Sequence, residues 1–202
     1  MWCVWLLLCA FLVPTESFYL PPSHRSATTQ LSATDVTEFV RLAREMGPVG
    51  SYQSEEDQAK LLSMAKDLPE SSGVPTELPL SGVHDLIYSA APGGSSGKLL
   101  GPVYGKVTQT FVDDKTFINA VEAGPLQIAL RAEREVKSGS AIKVSFKETT
   151  IRLFGNTVVS KEMGGGGVWK YLYAGEFIND HGKKKLLRVM ETPSLFVIES
   201  DL

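Results

Sequence analysis

Cysteine is nearly absent from this 202-residue chain: its two copies, Cys3 and Cys9, both lie in the apolar run at the start. Removal of that run as a leader leaves no thiol, which excludes disulfides, thiolate metal sites and cysteine nucleophiles together. Histidine is almost as scarce. Beyond His24 only His84 and His181 occur, and they do not form a metal-ligand spacing. Neither sign of charge dominates: at a formal net charge of −3 there is no basic stripe for a nucleic-acid backbone and no acidic tail, so nucleic acid is not an expected partner.

Several motifs are missing too. No Gly-x-Ser-x-Gly elbow occurs, the glycines Gly164 to Gly167 are followed by no Lys-Ser/Thr pair, and GSSGK at Gly94 to Lys98 lacks full phosphate-loop spacing. The paired carboxylates Asp113 and Asp114 read as a solvated turn. Serines are plentiful and His84 stands beside Asp85, yet nothing marks a triad. No catalytic residue, metal ligand or cofactor site is therefore assigned.

What the chain does have is alternation. In LQIALRAEREVKSGSAIKVSFKETTIRLF, Leu126 to Phe154, Ile128, Leu130 and Ala132 alternate with Arg131 and Glu133, and Ile142, Val144 and Phe146 alternate with Lys143, Ser145 and Lys147. Period two means one buried and one wet face. For Ile142 and Val144 to share a face with Arg134 and Ala132, the connecting loop must hold an odd number of residues. Lys137, Ser138 and Gly139 satisfy this, with Gly139 left-handed, and that register sets Glu133 opposite Lys143.

The first seventeen residues read as a secretory signal peptide: Trp2 to Val13 is apolar and Pro14-Thr15-Glu16-Ser17 closes it with small residues. Residues 18–33 begin with Phe18, are rich in Ser, Thr and Pro, and contain no acid, which is transit-peptide-like. Together they resemble the bipartite leader of algae whose plastids have extra bounding membranes. A mature domain without cysteine also fits a plastid better than the extracellular space.

Residues 34–69 predict two helices. Val36, Phe39, Val40, Ala43 and Met46 recur at helical spacing up to Gly47-Pro48, and Ser54 caps a second stripe of Leu61, Leu62, Ala65 and Leu68. Both are expected to pack on a sheet. Residues 70–79, with three serine or glycine positions and two prolines, read as a linker. From Leu80 to Leu202 strands alternate with turns: His84 to Tyr88, Val103 to Val112, Thr116 to Val121, the long hairpin, Thr157 to Ser160, Lys170 to Ile178, Lys185 to Met190 and Leu195 to Ile198. Evenly spaced strands without intervening helices predict a mainly β fold, an antiparallel up-and-down meander closed into a barrel. A barrel of about eight strands has room for one small ligand.

The segment LSGVHDLIYSAAPGGSSGKLLGPVYGKVTQTF, followed later by LLRVMETPSLFVIES, is similar to the plastid-lipid-associated protein family, the fibrillins. The likeness covers roughly Leu80 to Leu202. The family's first strand usually reads Gly-x-Trp-x-Leu-x-Tyr; Gly82, Leu86, Tyr88 and Ser89 match, and His84 stands in the Trp position. Near the end, Leu187, Arg188, Val189, Phe196 and Val197 match, while Glu191 and Thr192 replace an Arg and a Gly. The resemblance implies a lipocalin-like (calycin) barrel that binds or organises carotenoids, quinones or acyl lipids at thylakoids or plastid lipid droplets, without catalysis. It also implies an Arg188 stacked on an aromatic ring at one barrel end; with His84 in the Trp position, Tyr88 or Trp169 is the expected substitute.

Candidate barrel-lining or rim residues are Tyr88, Leu130, Arg134, Val144, Phe146, Trp169 and Arg188. Arg134 is expected at the rim, with its stem packed and its charge reaching water or a ligand headgroup. Trp169, the one Trp outside the leader, is expected as packing beside the glycine run. Entry of a ligand is expected beneath the AAPGGSSG loop. The competing reading is a lipid-modifying enzyme using His84, Tyr88 and Arg134, or a filled barrel acting through its outer surface.

Overall fold

The long hairpin lies at the seam where the sheet meets itself. The computed structural model describes residues 35–71, 73–80, 82–91, 96–98 and 104–202; the leader expected over residues 1–33 lies outside them. Two helices come first, α1 (Val36–Met46) and α2 (Glu55–Lys66). Nine strands follow: β1 (Val83–Ser89), β2 (Lys106–Phe111), β3 (Thr116–Ala123), β4 (Leu126–Ser138), β5 (Ala141–Leu153), β6 (Asn156–Glu162), β7 (Gly166–Ile178), β8 (Lys184–Glu191) and β9 (Leu195–Asp201). All pairings between these strands are antiparallel, in one sheet of order β4-β3-β2-β1-β9-β8-β7-β5-β6, and β4 also pairs with β5. That pairing closes the sheet into a ring of every strand except β6. Helices and ring belong to one unit, Ala33–Leu202.

The ring is not even. β5 runs thirteen residues and changes partner along its length, pairing through Ala141–Ser145 with β7 and through Glu148–Leu153 with β6. The glycine run marks that change. Gly166 has φ +143° and pairs with Ser145, and an added Cβ would stand 1.9 Å from the Val144 carbonyl oxygen, so no side chain fits there. β6 is exposed along its whole length.

The hairpin parity holds, but the register differs from the expected one. The turn is Gly139-Ser140, and Lys137 bulges between the pairs Val136–Ile142 and Ser138–Ala141. The bulge supplies the odd residue, so Arg134 stays on the inner face, opposite Val144 rather than Ile142. Lys143 consequently faces Glu135, and Glu133 reaches Lys147 at 2.8 Å. Gly139 does not have positive φ.

The two halves of the ring differ because only one is covered outside. Strands β2 to β5 alternate, and their outer face carries Thr108, Thr110, Glu122, Gln127, Arg131 and Arg152 around a shallow open groove. The β7–β8–β9–β1 half is apolar on both faces, as the runs Leu186-Leu187 and Leu195 to Ile198 require of doubly buried strands. Its outer face meets the helices: Phe39, Val40 and Ala43 of α1 and Leu61 and Ala65 of α2 pack with Ile87, Tyr173, Leu187, Val189 and Val197. Asp35 caps α1 and Ser54 caps α2 through backbone N–H groups. Arg44 pairs with Glu199 at 2.6 Å, fastening α1 to β9.

Candidate functional site

Inside the ring a second core forms from Phe117, Ala132, Ile142, Val144, Trp169, Tyr171, Met190, Phe196 and Ile198. Its aromatic rings run in sequence: His84 to Phe111 at 5.2 Å between centroids, Phe111 to Phe117 at 5.8 Å, Phe117 to Trp169 at 5.6 Å, and Trp169 to Phe196 at 6.1 Å. Tilted and edge-on pairs at these spacings add to the hydrophobic term. Trp169 thus packs as expected of it.

Arg188 sits in the middle of this lining with 0% of its surface exposed. β8 places it there by parity with Met190, opposite Ile198 and Ala174 on the inner face. Its Nη1 stands 3.3 Å from Nδ1 and 3.2 Å from Nε2 of His84, its Nη2 donates to the Pro79 carbonyl at 2.6 Å, and its guanidinium carbon lies 5.7 Å from the Phe111 ring centre. Nε is buried without a partner. The aromatic ring at Arg188 is neither Tyr88 nor Trp169, the two expected. Phe111 supplies the ring face, from a position before a turn where no motif pointed to it.

Arg134 occupies the rim. Nε donates to the Asp114 carbonyl at 3.0 Å and Nη2 to the Thr76 carbonyl at 3.2 Å, while Nη1 is buried without a partner. Burial pushes the Arg188 guanidinium down from its usual range, and repulsion from Arg134 adds to this. Tyr171 lies within the field of both. Burial pushes its phenol up, and the two guanidinium charges together with a hydrogen-bonding contribution from Arg134 pull it part of the way back. Among the described residues neither arginine has a carboxylate within ion-pair distance.

The segment read as a linker is instead tied down as a strap. Thr76 N donates to the Gly139 carbonyl at 3.2 Å, Thr76 Oγ1 bonds the Ser138 and Gly139 carbonyls, and Leu78 packs into the inner core. Ser71 Oγ accepts from Ala174 N at 2.9 Å, beside the bulge at Leu172. A cleft of about 600 Å³ opens beside the strap, walled by Leu78, Pro79, Tyr173, Leu186, Ser200 and Leu202.

Of the expected lining residues, Val144, Trp169 and Arg188 are buried in the interior and Phe146 packs partly against it. Leu130 is half-buried on the same face of β4 as Ala132, opposite Asn119 and Thr149. Tyr88 requires correction. Period two puts His84, Leu86 and Tyr88 on one face, but Ile87 is an extra residue against β9, so Tyr88 pairs with Val197 and turns outward beneath the helices. An added Cβ at Gly50 would lie 2.5 Å from the Tyr88 hydroxyl, which is itself buried without a partner. His84, Tyr88 and Arg134 are thus not brought together. Residues 92–95 of the AAPGGSSG loop lie outside the described residues.

Compared with protein families, curated proteins and solved structures, the chain has no match in any of the three.

Proposed function

We propose that this is a noncatalytic plastid lipid-binding protein of lipocalin-like type, related to the plastid-lipid-associated fibrillins, that takes a hydrophobic isoprenoid or acyl lipid at thylakoids or plastid lipid droplets. The observation that carries the reading is a closed ring of strands whose inner face is mostly aromatic and aliphatic, with Arg188 and His84 set into it, and whose strap end opens on a cleft of about 600 Å³. That volume lies within the usual range of small-molecule sites. Burial of apolar ligand area at about 25 cal/mol per Å² supplies the drive, and a few polar groups set the orientation. The leader composition and the matched strand motifs support the plastid and the family.

The test is uptake of a quinone or carotenoid by the delipidated chain. Leu130→Glu and Phe146→Glu are each expected to abolish uptake while the far-ultraviolet spectrum stays that of a β protein. Undiminished uptake by the folded variants overturns the interior as the site.

One observation favours action through the outer surface instead. The β5–β6 hairpin carries Phe154 at its tip, 77% exposed, with Leu153, Val158 and Val159 exposed around it. If this surface is what meets the membrane, Phe154→Glu lowers co-sedimentation with galactolipid vesicles and leaves ligand uptake intact.

A further inference from the structure

Resting on the lipid-binding reading above, we propose that Arg188 and Arg134 form a carboxylate-binding pair inside the ring, for the headgroup of a single-chain acyl lipid that displaces the strap carbonyls of Pro79 and Thr76. Both guanidiniums now donate to backbone carbonyls of the same short segment, and each keeps a further buried N–H without a partner. A desolvated guanidinium without an anion is costly, and hydrogen bonds to a charged acceptor are roughly twice as strong as those to a neutral carbonyl. The neutral strap is therefore a weaker occupant than a carboxylate.

Geometry favours a planar, two-oxygen anion on an apolar tail. Arg188 presents a fork of N–H groups that matches a carboxylate in two-point contact. Its surroundings are rings and aliphatic chains: Phe111 against the guanidinium, then Phe117, Trp169 and Phe196. The approach is the cleft beside the strap, because its wall includes Pro79, whose carbonyl holds Arg188, and Leu186, two residues before Arg188 on the same face of β8. Tyr171, buried in the same inner core and within the field of both arginines, is a phenol able to donate to an anion held there.

The test titrates the delipidated full chain by calorimetry with oleate, oleyl alcohol and acetate. Oleate is expected to bind once per chain and about tenfold or more tighter than the alcohol, a gain on the scale of one charge-assisted hydrogen bond, with acetate far weaker than either. Arg188→Met and Arg134→Gln should each bring oleate down toward the alcohol and leave the alcohol unchanged. Should Arg188→Met fail to fold, Arg134→Gln at the rim decides alone. Equal affinity for oleate and alcohol, or equal loss of both in the variants, overturns the arginine pair and leaves the lipid reading standing. Acetate binding as tightly as oleate overturns the acyl source, and no binding of oleate or alcohol overturns the arginine pair, while the lipid reading falls only if quinone and carotenoid are not taken up either.

Discussion

Nη1 of Arg188 stands almost equally far from the two ring nitrogens of His84, 3.3 Å from Nδ1 and 3.2 Å from Nε2, with both residues fully buried. The imidazole is the side chain against which a desolvated cation rests, on strands β1 and β8 that are separated in the sheet by β9. The pair therefore links β1 to β8 over the intervening β9 on the inner face of the helix-covered half.

His84→Ala is expected to destabilise the fold by about 2–4 kcal/mol, from the cavity it leaves and from the further buried N–H it strands on Arg188. Urea unfolding measures it. A loss below about 0.5 kcal/mol, the scale of an ordinary surface change, contradicts the packing role.

Tyr88 carries a buried hydroxyl that bonds nothing, and its ring lies against Gly50. Tyr88→Phe removes the orphan and is expected to leave stability unchanged or raise it by about 1 kcal/mol. Gly50→Ala inserts a methyl 2.5 Å from that hydroxyl and is expected to lower stability by about 1–3 kcal/mol. Chemical denaturation that finds Tyr88→Phe clearly less stable, or Gly50→Ala as stable as the parent, would show that Tyr88 does not pack beneath the helices.

Alkali should unfold the protein early. Burial raises the pKa of Tyr171, Tyr173 and Tyr88 above 10.0, with Asp57 adding to the effect at Tyr88. The folded state thus keeps protons that the unfolded chain releases. Their contribution is complete below about pH 10 and is lost as pH rises through the higher folded values. The denaturation midpoint is expected to fall above about pH 10, less steeply in Tyr171→Phe. A midpoint that is flat across tyrosine ionisation, or a fall identical in the variant, contradicts the burial of these phenols.

Much of this architecture was legible in the chain. The alternation in Leu126 to Phe154 announced the hairpin and its parity, the spacing of Val36 to Met46 and the Ser54 cap marked the two helices, and the apolar runs of β8 and β9 announced strands. What escaped was set by single inserted residues. A bulge at Lys137 shifted the hairpin register, and one at Ile87 turned Tyr88 out of the interior; neither position differs in composition from an ordinary strand residue. The strap escaped for another reason. Its Ser, Gly and Pro content is that of a linker, and only the carbonyl oxygens of Thr76 and Pro79, which no side-chain pattern reveals, fasten it to the two arginines. Phe111 beside Arg188 likewise needed the register of β1 against β2 to become visible.

The most direct measurement is mass spectrometry of lipid extracted by solvent from the protein purified natively from its own cells. The account predicts a stoichiometric hydrophobic lipid, a carotenoid, a quinone or an acyl lipid, released only on denaturation. Protein that is folded and free of lipid would contradict it.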